Sequence, residues 1–255
     1  MTECLYRYIS FESFVGMIQK QALTFVLPEL WEDPKESAPF LEFLKGKENG
    51  FERALFYAAH NKTYGQCWSR LAESDAMWRI YSFNKHAIQI KVSTEKISLL
   101  PDINVVPVQY MDNFVIDSNK GMQSFLQALA IKRTAFQHEE EVRLIKHYKF
   151  SDERDAEIHL KALCVLADHP QKIEILDSLF PELSLEEKIH ELVRLMNDGI
   201  FKEKTIDVSF EMIPDFIDGV KVHPQAEDWY VNTVSEFCAR NNLPFTGKST
   251  LYSNE

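Results

Sequence analysis

Two hydrophobic periods alternate along this chain, and the switches between them lay out an α+β order of elements. From Cys4 to Ile9 the period is two, with Tyr6 and Tyr8 on one face and Leu5 and Arg7 on the other, as in a strand. Ser10 is a good N-cap, and Phe11, Phe14, Val15 and Ile18 follow at helical spacing. Further strands are expected over Ala22–Leu27, Gln66–Arg70, Ala87–Val92, Val105–Tyr110 and Ile206–Phe210. Helices are expected over Phe51–Thr63, over Ser74–Phe83 with Ser74 as cap, and over Met122–Phe136, Leu183–Met196 and Trp229–Arg240. Between the second strand and the next helix lies Trp31-Glu32-Asp33-Pro34-Lys35-Glu36, where Pro34 forces Asp33 out of helical geometry.

The Met122–Phe136 helix leads into Glu139-Glu140-Glu141-Val142-Arg143-Leu144-Ile145, three adjacent acids running into an apolar strand. Like charges side by side repel, so this is poor strand material unless the charges have a use. Strand alternation from Glu139 onward puts Glu139, Glu141 and Arg143 on one face and Glu140 and Val142 on the other. Two carboxylates and a guanidinium at a sheet mouth suit a cationic transition state. The same charges also suit a solvated edge strand that deters aggregation.

With 255 residues, no repeats, few glycines and no low-complexity linker, the chain reads as a single α+β domain spanning 1–255, with a helical insertion at about 151–200. Its net charge of −11 argues against non-specific binding to nucleic acid or anionic membrane, though not against a local basic groove. Cys4, Cys67, Cys164 and Cys238 are scattered without a CxxC pair, which points to reduced thiols rather than a zinc site or a disulfide framework. The N-terminus has no signal-peptide pattern, and no stretch is apolar enough to span a bilayer, so a cytoplasmic protein without membrane contact is expected. Neither a nucleophile elbow, a glycine-rich phosphate loop nor a metal-ligand histidine spacing is present, and no metal is expected.

Several landmarks occur in a characteristic order: Leu5-Tyr6-Arg7-Tyr8, then Trp31 through Glu36, Cys67-Trp68-Ser69, Met77-Trp78 with Tyr81, Val108 with Tyr110, and Lys132, Phe136, Glu139, Glu141 and Arg143. In order and approximate spacing this resembles a bacterial family catalogued as domain of unknown function 2971, whose pattern reads roughly YKY, NDPxE, CFS, MWxxY, VxY and KxxxWxxExEWR. Gly219 to Pro224 and Ser249 to Tyr252 look like its closing strand–helix–strand. Phe136 stands where the family has Trp, and Trp31-Glu32 where Phe-Asn is commoner. About residues 151–200 lie outside the resemblance.

The chain is also similar to ADP-ribosyltransferases of the arginine–serine–glutamate type. Arg7 stands on the first strand and Ser69 on a middle one, and Glu139 to Ile145 looks like their Glu-x-Glu-Val-Leu-Ile strand. Trp68-Ser69-Arg70 lacks their Ser-Thr-Ser run. This resemblance implies a mixed, split β-sheet core of ADP-ribosyltransferase-like type flanked by helices. It makes Glu141 the catalytic carboxylate, Glu139 the substrate-directing one, and Arg7 the residue that binds nicotinamide adenine dinucleotide (NAD). Tyr8, Ser69, Trp78, Tyr81 and Arg143 would complete the NAD site. The implied activity is cleavage of NAD and transfer of ADP-ribose to a macromolecular acceptor, protein or nucleic acid, in a toxin or anti-phage effector; the acidic amphipathic helix expected at Leu183–Met196 would either dock a regulatory or antitoxin partner or pack on its own domain. A different class of function is a non-catalytic nucleotide-binding or protein-interaction module. The two diverge at Glu141: an enzyme needs it unpaired and facing a cleft, whereas a structural ladder needs it bonded to Arg143 or Lys132.

Overall fold

The computed structural model describes residues 3–47, 56, 60, 62–82, 84–117, 121–147, 170–188, 190–191 and 203–253. The expected helix at Phe51–Thr63 lies mostly outside these residues, and so do Cys164 and much of the insertion at about 151–200. In that insertion the described part includes one helix, Lys172–Leu179, and helical residues at 185–188 and 190–191, the latter within the expected Leu183–Met196 helix. No helix among the described residues is long and apolar enough to cross a membrane.

The chain opens with β1 (Cys4–Ser10), α1 (Phe11–Lys20) and β2 (Ala22–Val26). Ser10 caps α1 as its spacing predicts, its hydroxyl accepting from the Ser13 N–H. A 3₁₀ turn at Pro34–Ser37 precedes α2 (Ala38–Lys45), and Asp33 before it is extended at φ −86° and ψ 110°. Then come β3 (Thr63–Ser69), α3 (Asp75–Tyr81), β4 (Ala87–Ser93), α4 (Thr94–Ser98), β5 (Ile103–Pro107) and β6 (Gln109–Tyr110). The remaining elements are α5 (Met122–Ala128), β7 (Ile131–Lys132), β8 (Glu141–His147), α6 (Lys172–Leu179), β9 (Thr205–Ser209), β10 (Gly219–Val222), α7 (Asp228–Arg240) and β11 (Phe245–Lys248).

The fold is mixed α+β. Among the described residues, nine strands join one mostly antiparallel sheet, while β6 and β7 form a separate parallel pair. The large sheet branches at β3. Along one edge β8 follows it from Thr63↔His147 to Ser69↔Glu141, and β5 pairs with the far edge of β8. The other edge of β3 meets β1 only at Tyr6↔Ser69 and β2 only at Val26↔Gly65. Between those two contacts the sheet opens.

Along β8 the core that each apolar side chain joins alternates with the strand period of two. Val142 and Leu144 on β8 join the main core with Leu5, Ile9, Ile88, Ile90 and Val220, covered by Phe14 of α1 and Val234 of α7. The opposite face of β8 carries Arg143 and Ile145, and Ile145 packs with Phe40 and Phe43 of α2 and Phe125 of α5. β8 is therefore buried on both faces, which rules out the solvated edge strand.

Three sequence expectations change in this region. The Met122–Phe136 helix stops at Ala128, because Ile131 and Lys132 pair with Gln109 and Tyr110, and a 3₁₀ turn over Thr134–Glu139 follows. The Val105–Tyr110 strand divides between the two sheets. Glu139 is not in β8 at all: it ends the 3₁₀ turn, and Glu140 takes a left-handed conformation (φ 41°, ψ 52°) that redirects the chain.

Candidate functional site

The branch in the sheet creates a cleft of about 110 Å³ lined by Tyr6, Arg7, Tyr8, Ser69, Tyr81, Glu139 and Glu141, among others. A second cleft of about 360 Å³ shares Cys67, Tyr81 and Glu139 with the first and adds Trp31, Asp33, Glu36, Lys132, Arg133 and Phe136. The two form one neighbourhood around Tyr81 and Glu139.

Its wall is a buried ionic cluster. Lys132 Nζ lies 2.7 Å from Glu139, 2.9 Å from Glu141 and 3.6 Å from Glu36. Arg143 bonds Glu141 through Nε at 2.8 Å, Glu36 through Nη2, and the Leu129 carbonyl through Nη1 at 2.6 Å. Glu36, Glu139 and Glu141 thus face two cations, leaving an excess of one negative charge when all are ionised. The Glu141 N–H donates to Tyr110 Oη at 2.7 Å, which ties the strand start to β6.

Burial opposes ionisation of every member, and the neighbours decide the outcome. For Glu141, Arg143 and Lys132 overcome desolvation and pull the pKa down to about 2, so this carboxylate is ionised. For Glu36 and Glu139 desolvation wins over their cations and the pKa rises. Lys132 and Arg143, also desolvated, are held firmly protonated by the carboxylates around them.

Arg7 differs. It is partly buried and lines the smaller cleft, and no hydrogen bond or ion pair to it occurs among the described residues. Desolvation lowers its pKa. Trp31 shows a similar deficit in the second cleft: its buried Nε1–H has no partner among the described residues, although Arg143 stacks on its ring at 4.0 Å. The same indole lies against Gly65, where an added Cβ would be 2.6 Å from Cζ2.

The remaining candidates divide. Tyr8 and Tyr81 line the cleft as a stacked pair, with ring centres 6.4 Å apart. Ser69 lines it too, but its hydroxyl donates to the Glu139 carbonyl at 2.7 Å and accepts from the Leu71 N–H. It holds the turn that presents Glu139. Trp78 does not reach either cleft: it is fully buried against Tyr8 and donates to Glu73, because only one of the two residues sharing that helix face points to the opening. Arg143 is likewise wholly buried and acts through Glu141, Glu36 and Trp31.

Site residues without an assigned role from sequence include Trp31, Asp33 and Glu36, while Lys132 is expected there only as a ladder partner of Glu141. A signal existed, since an acid two residues after Asp-Pro and ahead of an apolar helix is placed at the start of a buried surface. Asp33 adds an ion pair to Arg133 at 2.9 Å. Among the described residues no group of His, Cys, Asp and Glu side chains is arranged to hold a metal ion. Comparison with protein-family models, with curated proteins and with solved structures finds no match for this chain.

Proposed function

We propose that the double cleft binds a nucleotide, NAD first among the candidates, and that the Glu-x-Glu-x-Arg segment is the ion-pair ladder forming its wall. The observation that carries this reading is Arg7, a desolvated guanidinium lining the cleft with no hydrogen bond or ion pair among the described residues. Leaving such a group unpaired is unfavourable, and a phosphate supplies the missing bidentate acceptor. The unpartnered Trp31 Nε1–H and the exposed edge of the Tyr8–Tyr81 stack offer a donor and an aromatic surface to the rest of such a ligand. Glu139 and Glu141 line the same cleft and suit the positively charged nicotinamide ring of NAD. Calorimetry with NAD and with ADP-ribose tests this. Micromolar to millimolar binding that falls at least tenfold in Arg7→Gln supports it, and no heat from either ligand overturns it.

A second reading, ADP-ribosyl transfer, is favoured by one observation: Glu139 and Glu141 line the same cleft as Arg7 and Ser69. The branching of the sheet beside β3 is in keeping with the split-sheet core of that enzyme class. Against it, both Glu141 oxygens already serve Arg143 and Lys132, so the charge available to an oxocarbenium is reduced. The macromolecular acceptor, the toxin or anti-phage role, membership of the domain 2971 family and a cytoplasmic setting rest on sequence resemblance and cysteine spacing. Incubation with labelled NAD and lysate separates the readings. Nicotinamide release and a labelled macromolecule favour the enzyme, whereas binding without turnover favours the module.

A further inference from the structure

Away from the ionic cluster, Tyr81 also lines a third cavity, about 290 Å³, with Phe11, Glu12, Asn84, His86, Trp229 and Tyr230 around it. Its aromatic walls combine edge-on and stacked pairs. Trp229 lies edge-on to His86 (80°, ring centres 5.0 Å apart) and to Tyr230 (78°, 5.8 Å). His86 and Tyr230 are stacked at 4.5 Å, and Phe11 meets Tyr230 edge-on at 6.0 Å. Trp229 is 56% exposed and Tyr81 40%, so both large rings remain available to a ligand.

The charges around the cavity are negative. Glu12 lines it, and Glu227 accepts from Trp229 Nε1 at its rim. Neither carboxylate has an ion-pair partner among the described residues, and Lys85, although adjacent to His86 in sequence, does not line the cavity. These acids oppose the partial positive charge of the two helix ends that meet here, α1 and α7. Ring faces and an unpaired carboxylate together recognise one chemistry, a poorly hydrated organic cation.

We propose that this cavity is a binding site for a small organic cation, an alkylammonium or guanidinium group, with the Trp229 ring as its main contact and Glu12 as counter-charge. The site does not depend on nucleotide binding in the neighbouring cleft. It shares only Tyr81 with that cleft, and the test uses neither Arg7 nor the ionic cluster.

The full chain, labelled with ¹⁵N, is titrated with choline and, separately, with N-acetyl-arginine methylamide, following the Trp229 indole resonance. Saturable shifts with dissociation constants on the order of 10 mM or tighter are expected for at least one probe, and which one saturates identifies the cation. The neutral isostere 3,3-dimethylbutan-1-ol should bind at least about tenfold more weakly than choline if choline saturates. Trp229→Leu, which keeps apolar bulk but removes the ring face, should weaken binding about tenfold, read on the Tyr230 and His86 backbone amides. Glu12→Gln should weaken it about threefold or more, with both variants folded because these side chains are exposed. Saturation by neither cation overturns the assignment. Equal affinity for the neutral isostere, or binding untouched by Trp229→Leu, overturns it as well.

Discussion

Arg143 Nε bonds Glu141 Oε1 at 2.8 Å along a single strand face, and the guanidinium is wholly buried while doing so. This one contact turns a run of acids into a wall. It spends a Glu141 oxygen inside the protein, and Lys132 spends the other. The guanidinium then reaches back to Glu36, joining the Pro34–Ser37 turn to the sheet.

Removing Arg143 should therefore be severe. In Arg143→Leu, Glu141 and Glu36 lose a buried cation and keep their own desolvation. A loss of about 3–5 kcal/mol is expected in urea denaturation. A loss below about 1 kcal/mol would mean that water or rearrangement compensates, and the ladder would not be what holds the wall.

The carboxylates should differ in the sign of their pH dependence. Glu141 has its folded pKa depressed to about 2, so its contribution is present above its unfolded value of 4.5 and is lost as pH falls towards 2. Glu36 and Glu139 have raised folded values, so each adds stability below 4.5 that disappears as pH rises through its folded pKa. Urea midpoints between about pH 6 and pH 2 should fall less steeply for Glu141→Gln than for the natural chain. Glu139→Gln, having lost the offsetting group, should fall more steeply. Identical slopes for all three proteins would remove these groups from the acid response.

Arg7 should trade stability against binding. Because it has no hydrogen-bond or ion-pair partner among the described residues, Arg7→Gln is expected to leave the melting temperature unchanged or slightly raised while NAD affinity drops at least tenfold. Arg7→Lys keeps the charge without the fork and should also weaken binding. A variant that melts much earlier would mark Arg7 as structural.

Trp78 is the opposite case. It is fully buried between Tyr8 and His223 and bonds Glu73, so Trp78→Ala should cost about 3–5 kcal/mol in chemical denaturation. Preserved stability with lost NAD affinity would return it to the cleft.

The Trp31 indole lies so close to Gly65 that Gly65→Ala should cost about 1–3 kcal/mol, and Trp31→Leu in the same chain should recover part of that loss. Additive effects in the double variant would show that the two positions do not meet.

Much of this was legible in the chain. Period-two and helical spacings located β1, α1, β4 and α7 to within a residue or so, and Ser10 and Ser74 announced their helices because a cap is a local device. The helix break at Ala128 was not legible, since the pairing of Ile131 with Gln109 that stops it comes from a distant segment.

By itself, then, the sequence determined the α+β class, the amphipathic elements and the set of charged residues from Lys132 to Arg143. Those follow from side-chain period and local hydrogen bonding. Tertiary structure alone decided that Glu139 arrives by a turn and Glu141 by a strand, that both end on Lys132, and that Glu36 joins them from a hundred residues away. It also decided that Arg7 has no ion-pair partner among the described residues while Arg143 has two. Ionic partners are chosen by distance in a low-dielectric interior, and spacing along a chain carries no such distance.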